Sequence, residues 1–206
     1  MAERFLDLLR HGEVQGGARF RGDQDDPLSP LGWEQMRQAT VGPAPTSTPA
    51  PPPALTPDWT RIISSPARRC AEFARELAVD LELPFEERAL FRERGFGAWE
   101  GLAVDEISSE ALRPFWCNPM GYNPPGAEPF DDFRARVLDG WRDLQSESGA
   151  CDLLVTHGGV IRVLVAEVLR MPDDAFWLFE APHACRIRLR IPTPPWRPSL
   201  VFHRTL

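Results

Sequence analysis

The sequence lacks the features that mark several large classes of protein. Its four cysteines form no CxxC pair and no cysteine–histidine spacing typical of a metal site, so we expect reduced thiols, no metal and no cofactor. It also lacks a basic excess, because its formal net charge is −7 at pH 7. That charge argues against a nucleic-acid partner, and the positive field for an anionic ligand must then come from a local cluster.

Long hydrophobic runs are missing as well. No apolar stretch approaches the ~18 residues that a membrane helix needs. The amino-terminal string MAERFLDLLRHGE is too short and too charged for a signal peptide. We therefore expect a cytoplasmic protein with no membrane partner, either a monomer or a homodimer. Its 206 residues predict one domain over 1–206 with a sizeable core.

Proline, in contrast, is abundant and concentrated in one place. Residues 43–58 read PAPTSTPAPPPALTPD. Proline removes amide donors and restricts φ, so this segment is neither a helix nor a central strand. It predicts an extended surface loop rather than a domain linker, because the chain before it is too short to hold a core alone.

Apolar strands alternate with amphipathic helices along the rest of the chain. Strands are expected at 5–9, 61–65 and 151–156, and helices at 30–40, 70–81, 130–144 and 160–169. The Gly-rich stretch 83–103 predicts irregular structure, and 185–191 with 199–205 predicts a strand pair with one solvated face. This order predicts an α/β fold, a three-layer α/β/α sandwich whose central sheet is mostly parallel and ends in a C-terminal strand pair.

Polar residues follow three of the predicted strands. RHGE follows the first, SSPARR the second and THGG the third. Ligands of open α/β sheets bind beyond the carboxyl ends of the strands. Each string alone would be compatible with surface charge or a turn, so it is their convergence that predicts a site.

The residue types at these strand ends suit a phosphate ester. Arg10 and His11 follow the first strand, Arg68 and Arg69 the second, and His157 the third. A guanidinium matches phosphate oxygens with a planar fork, and an imidazole can attack phosphorus. Residue types alone do not choose between the two neighbouring arginines.

Hydrolysis of a phosphate monoester also needs a carboxylic acid that protonates the leaving alkoxide. Glu93 and Glu100 lie in FRERGFGAWEGLA, and Glu128 lies in PPGAEP. Residue types alone do not choose among these three. His183 and His203 have no partner motif, and we assign them to structural roles.

The strings LLRHGE, RGDQDDPLSPLG, SSPARRC, ERGFGAWEG, PPGAE and VTHGG resemble, in this order, the histidine phosphatase (phosphoglycerate-mutase-like) superfamily. They extend from Leu8 to Gly159, most of the chain. The resemblance implies a phosphoric monoester hydrolase that forms a phosphohistidine intermediate without a metal or cofactor.

The resemblance also implies a role for each matched residue. His11 corresponds to the phosphorylated histidine, and His157 to the second histidine of the phosphate pocket. Arg10 and Arg69 correspond to the phosphate-binding arginines, the latter as the arginine of an S-S-P-x-x-R pattern. Glu93 corresponds to the proton donor.

Five further residues receive weaker assignments. Gly22, Gly158 and Glu128 are expected to contact phosphate or substrate, and Glu100 to be structural. Glu13 is expected to orient a loop or an imidazole. The family's G-E-S string reads G-A-E-P here, with proline where serine is expected.

Within the superfamily, the strings are most similar to alpha-ribazole phosphatases. The expected substrate is therefore alpha-ribazole 5′-phosphate, a small-molecule phosphate ester of cobalamin biosynthesis. A broad-specificity small-molecule or sugar-phosphate phosphatase is the alternative. A non-catalytic phosphate-binding scaffold and a phosphoglycerate mutase rank behind both, because all five catalytic-type residues are present and the longer mutase insertions are absent.

Overall fold

The computed structural model describes residues 4–41, 58–118 and 120–206. Within them six strands form one sheet: β1 Arg4–Arg10, β2 Arg61–Ser64, β3 Phe85–Glu87, β4 Cys151–Thr156, β5 Arg186–Ile191 and β6 Ser199–Arg204. Their order is β3-β2-β4-β1-β5-β6. Strands β1 to β4 run parallel, and β5 and β6 add an antiparallel edge, so the mostly parallel sheet and its C-terminal pair are confirmed. The proline-rich prediction for 43–58 falls, except for its last residue, outside the described residues.

Helices cover both faces of this sheet. They are α1 Pro30–Val41, α2 Arg68–Asp80, α3 Ser109–Cys117, α4 Phe130–Ser146 and α5 Gly158–Leu169. On one face, α1 and α2 share a buried cluster with side chains of β1, β2 and β4. On the other face, α4 and α5 share a second cluster with the same strands and β5. The predicted three layers are therefore confirmed, and none of the helices described is long and apolar enough to cross a membrane.

Strand β4 lies at the centre and is buried along its whole length. Because helices cover both of its faces, its sequence CDLLVT is apolar almost throughout instead of alternating. Its one charged residue, Asp152, is neutralised by Arg4 at 3.0 Å and Arg61 at 2.7 Å. The buried stripe of α2 packs beside it, and its Phe73 and Leu77 side chains each contribute roughly 1.5–3 kcal/mol.

Helix α1 begins as the sequence predicts. Ser29 Oγ accepts the Gly32 amide at 3.0 Å, and Pro30 takes the first helical position. The Ser29 hydroxyl donates to the Glu13 carboxylate at 2.7 Å, so Glu13 orients this loop. The backbone at Gly12 lies very close to that at Gly32, because a Cβ on Gly12 would be 2.3 Å from the Gly32 carbonyl oxygen.

Strand β3 and helix α3 are not expected from the sequence. Strand β3 has only three residues, too few for a recognisable alternation, and forms the sheet edge beside β2. Helix α3 contains Pro114, which weakens any helical pattern, and starts at a Ser108 cap that accepts the Ala111 amide at 3.3 Å. The Gly-rich stretch contains 3₁₀ turns at Ala89–Phe91 and Gly97–Trp99.

The C-terminal strand pair differs from its prediction in one respect. The arginine face of β5 is largely covered instead of solvated. Arg186 is 4% exposed and lies over the rings of Phe202 and Trp59, at 5.5 and 5.9 Å. Arg188 donates to Asp7 at 2.7 Å. Alternation of apolar residues with arginine predicts a solvated strand face only where no aromatic ring or carboxylate covers the arginine side chains.

Candidate active site

The carboxyl ends of β1, β2 and β4 meet at one edge of the sheet. Strand β4 lies between the other two, so Arg10 pairs with Thr156 and Ser64 with Val155. The His11 amide donates to the Thr156 carbonyl at 2.9 Å. The strings RHGE, SSPARR and THGG therefore come together as predicted.

His11 is a neutral imidazole with a defined tautomer. Its Nδ1 lies 2.8 Å from the Gly12 carbonyl oxygen. Since a carbonyl only accepts, Nδ1 holds the proton and Nε2 keeps a lone pair. Burial lowers the pKa of His11 well below 6.5, and the charges of Arg10 and Arg69 lower it further. At neutral pH His11 is therefore uncharged and has an available lone pair on Nε2.

His157 lies behind His11 and is fully buried. The two ring centroids are 5.3 Å apart, nearly edge to face. His157 Nε2 lies 2.7 Å from Ser65 Oγ, which fixes the ring. Burial and the charge of Arg69 lower the pKa of His157 well below its usual value. The adjacent Cys70 is an unreactive thiol, because burial raises its pKa to about 12.

Two guanidiniums, that of the buried Arg69 and that of the partly buried Arg10, contribute the positive field of the site. Arg69 is 1% exposed and donates from Nη1 to the Gln24 carbonyl at 2.8 Å. Arg10 donates from Nη1 to the Ala181 carbonyl at 2.5 Å. The Nε of each is buried with no hydrogen-bond partner among the residues described. Both side chains line the cleft, so their two positive charges favour an anion there.

The structure distinguishes Arg69 from Arg68, which the residue types did not. Both lie in the first turn of α2, where positive charge opposes the helix dipole. Arg68 is exposed and pairs with Glu72 at 2.7 Å, whereas Arg69 turns inward. The chain contains no lysine, so its positive field comes from guanidiniums, which match phosphate geometry.

Of the three candidate glutamates, Glu93 lines the cleft above His11. Its carboxylate accepts the Arg94 amide at 3.0 Å and the Gly159 amide at 2.9 Å. These bonds hold it beside the first turn of α5. Gly158 lies against Arg10, since a Cβ there would be 3.3 Å from Arg10 Nε. Glycine at this position lets α5 approach the Arg10 side chain.

Glu100 is structural, as expected, and its contacts change the interpretation of Gly22. Glu100 accepts the amides of Gly22 and Gln24 at 3.0 Å and that of Phe96 at 2.7 Å. The Gly22 amide is thus already bonded, and its carbonyl accepts from Arg69 at 3.2 Å. The predicted phosphate contact of Gly22 does not hold, because Gly22 orients Arg69 instead.

The predicted substrate contact of Glu128 does not hold either. Its carboxylate accepts two bonds from Arg136, at 2.7 and 2.8 Å, and one from the Gly95 amide at 3.3 Å. It does not line the cleft. Glu128 instead ties α4 to the loop that positions Glu93.

His183, for which a structural role is expected, lines the cleft. Its ring centroid lies 5.6 Å from that of His11. The turn around it is held by the Arg10 bond to Ala181 and by the Ala184 amide, which donates to the His11 carbonyl at 3.3 Å. No motif marks this histidine, because only the pairing of β5 with β1 brings it to the site.

Arg162 is the second cleft residue that the motifs miss. It lies one turn into α5, donates from Nε to the Phe179 carbonyl at 3.0 Å and stacks 5.0 Å from the Trp177 ring. The available signal was its charge, because Arg162 and Glu167 are the two charged residues of the otherwise apolar helix GGVIRVLVAEVL.

An aromatic wall faces the basic end of the cleft, whose volume is about 510 Å³. The wall consists of Phe20, Phe96, Phe115, Trp116 and Trp177. Helix α3 and the FGAWEG loop pack into one apolar cluster that supports it. The cleft is much larger than a phosphate group and leaves room for an organic leaving group.

The three site histidines predict that stability falls in acid. The folded pKa of His11, His157 and His183 lies below 6.5, at about 4 for His183. As pH falls below about 6.5, the unfolded chain binds protons that the folded chain does not, so the free energy of unfolding decreases. Near pH 5 the slope of this free energy against pH corresponds to up to about three protons. Urea unfolding across this range measures the slope. His183→Asn should reduce this slope by about one proton, which is more than the reduction in the exposed control His203→Asn. Equal slopes in the two variants would contradict the lowered pKa of His183.

The profile of the Histidine phosphatase superfamily (branch 1) matches residues 6–202 of the chain. The chain belongs to this superfamily. The match extends from β1 to β6 and includes every strand end described above. The superfamily resemblance of its motifs is thereby confirmed.

Named relatives of this histidine phosphatase include two kinds of phosphatase. A glucosyl-3-phosphoglycerate phosphatase of Mycolicibacterium vanbaalenii is 32% identical over 186 residues, 84% of this chain and 78% of the relative. An adenosylcobalamin/alpha-ribazole phosphatase of Escherichia coli is 26% identical over 189 residues, 86% of this chain and 85% of the relative. The chain spans 44% of the length of other mycobacterial relatives that are 32% identical to it.

Solved structures show the same fold. A mycobacterial glucosyl-3-phosphoglycerate phosphatase in complex with inorganic phosphate superimposes with a TM-score of 0.78 and 25% identity. The superposition covers 97% of this chain and 96% of that one.

Proposed function

We propose that this histidine phosphatase hydrolyses small phosphate monoesters through a phosphohistidine intermediate on His11. One observation supports the proposal above the others. A neutral His11, with a free lone pair on Nε2, lines one cleft together with the side chains of Arg10 and Arg69. This is the arrangement that a nucleophile attacking a phosphate dianion requires.

The first chemical step transfers the phosphoryl group. Nε2 of His11 attacks phosphorus, a P–N bond forms, and the P–O bond to the leaving alkoxide breaks. Glu93 donates its proton to that alkoxide. Arg10, Arg69 and His157 stabilise the charge on the phosphoryl oxygens, where guanidinium forks are strongest.

The second step returns the enzyme to its starting state. Water attacks phosphorus of phospho-His11 from the side of the departed alcohol and gives a proton to the Glu93 carboxylate. The P–N bond breaks, its electron pair returns to Nε2, and inorganic phosphate leaves. The proton count closes, because Glu93 regains the proton that it donated.

Alpha-ribazole 5′-phosphate is the first substrate candidate. The five aromatic side chains of the cleft support it, since they offer stacking surface for the flat base of such an ester. Glucosyl-3-phosphoglycerate is the second candidate. It is supported by the 32% identity to a relative named for that activity.

A substrate panel, combined with trapping of the phosphorylated enzyme, tests both the proposed mechanism and the proposed substrate. The panel contains alpha-ribazole 5′-phosphate, glucosyl-3-phosphoglycerate and simple sugar phosphates. We expect phosphate that is acid-labile and base-stable on His11, and a preference above about tenfold for alpha-ribazole 5′-phosphate, equal to roughly 1.4 kcal/mol. A smaller preference would contradict the specific substrate alone, whereas absence of labelled His11 during turnover would contradict the mechanism.

A further inference from the structure

A third histidine faces the cleft that contains His11. The ring centroid of His183 lies 5.6 Å from that of His11, almost the same separation as the 5.3 Å between the rings of His11 and His157. His157 is fully buried, whereas His183 is partly buried and lines the cleft. His183 is therefore as close to the nucleophile as His157 is, and it lies on a side that a substrate can reach.

The ring of His183 offers polar atoms to this cleft. Among the described residues, no donor or acceptor forms a hydrogen bond with either ring nitrogen, and both nitrogens keep solvent-accessible surface. They differ in this respect from the Nε atoms of Arg10 and Arg69, which are closed off from solvent. An imidazole nitrogen in the wall of a cleft, with no partner in the described part of the chain, is available to a ligand.

The ring of His183 is neutral at neutral pH. Burial lowers its pKa to about 4, with a further lowering by Arg10, an opposing effect of Glu13 and a smaller lowering by Arg21. A neutral imidazole bears one N–H, which can donate to a phosphoryl oxygen. A bound phosphate dianion would in turn favour the protonated form of the ring.

A strained turn places His183 beside the nucleophile. The Cys185 amide donates to the Pro182 carbonyl at 3.1 Å, which closes a four-residue turn. Its third residue, Ala184, has a φ of 56°, a left-handed conformation that turns normally give to glycine. The Ala184 amide donates to the His11 carbonyl at 3.3 Å. Strained backbone persists where the surrounding contacts fix it, and these contacts fix the turn against His11.

We propose that His183 is a third histidine of the phosphate pocket, whose ring N–H donates to an oxygen of the phosphoryl group that His11 receives. The proposal rests on the phosphatase function proposed above and adds a substrate-binding residue to it. The bond is made to the phosphoryl side of the ester, so its contribution is the same for every leaving alcohol. The contribution of Glu93, in contrast, depends on the alcohol.

Three variants of His183 and one control test this role. His183→Ala should lower kcat/KM about tenfold for alkyl and aryl esters alike, and should raise the inhibition constant of inorganic phosphate by a similar factor. His183→Asn and His183→Gln place an amide N–H near the positions of Nδ1 and Nε2. At least one of them should restore phosphate inhibition to within about threefold of wild type. Pro182→Ala, at an exposed position of the same turn, is the matched control and should leave both constants unchanged.

A measurement on the wild-type protein needs no substitution. The chain contains four histidines, so the ring of each can be followed by NMR through a pH titration. Saturating inorganic phosphate should raise the pKa of His183, because the bound anion stabilises its imidazolium. The pKa of the exposed His203 should not change.

The outcomes separate this inference from the proposed function. An unchanged pKa of His183 with phosphate bound would overturn the role, while phospho-His11 still forms during turnover. Unequal losses for alkyl and aryl esters, no recovery in either amide variant, or an equal loss in Pro182→Ala would overturn it too. A wild-type enzyme that neither hydrolyses an ester nor labels His11 would instead overturn the phosphatase proposal.

Discussion

Replacing His11 with alanine is expected to lower kcat by on the order of 10⁶-fold, the scale seen when an enzyme loses its nucleophile. The reason is that the guanidiniums of Arg10 and Arg69 can still hold the phosphate, but no atom remains to form the P–N bond. Substrate binding should therefore persist while phosphoenzyme formation stops. Steady-state kinetics and trapping of acid-labile phosphate measure the two effects separately.

The control for this variant is His203→Ala. His203 lies on the edge strand β6 and packs on Phe179, away from the cleft. It should retain kcat within a few fold, and both variants should unfold cooperatively near the wild-type midpoint. Turnover by His11→Ala within a few fold of wild type would remove His11 as the nucleophile.

Replacing Glu93 with glutamine is expected to slow alkyl phosphates by about 10²- to 10⁴-fold, the range for loss of a general acid. Glutamine keeps one acceptor oxygen, which can serve either the Gly159 or the Arg94 amide, and the bond from Arg136 to the backbone carbonyl of residue 93 at 2.9 Å still holds the loop. It cannot give up a proton to the leaving alkoxide. Aryl phosphates should be slowed much less, because an aryl oxide leaves without protonation.

The ratio of alkyl to aryl rates is the decisive readout for Glu93. Measuring both in wild type, Glu93→Gln and the control Glu76→Gln separates chemistry from folding, since Glu76 is an exposed residue that pairs with Arg37. Equal slowing of alkyl and aryl esters would show that Glu93 acts on geometry rather than as the acid.

Local patterns in the sequence were sufficient for much of the fold. Strand β4 was predicted at its observed bounds, and the core stripe of α2 was read directly from its spacing. These elements are long or strongly periodic, so burial dictates their residues. Strand β3 and helix α3 escaped prediction because one is too short and the other contains a proline.

The site was predictable only in part. Strand ends of a parallel sheet share one edge, so the meeting of Arg10, His11 and His157 followed from the alternation of strands and helices. The choice of Arg69 came from the family pattern, and its burial agrees with that choice. Predictions based on single loop residues did worse, as Gly22 and Glu128 show, because a loop's hydrogen bonds depend on which distant segment it meets.

By itself, then, the sequence determined five of the six described strands, the three polar strand ends and the residue types that favour phosphate chemistry there. Periodicity and residue type are local properties, so they can be recognised from the sequence without the tertiary structure. Only the tertiary structure brought His183 and Arg162 to the cleft and placed Glu93 in the same cleft as His11. It also determined that Glu100 binds backbone amides and that Glu128 binds Arg136. Those outcomes depend on contacts between residues far apart in sequence, and such contacts leave no periodic trace.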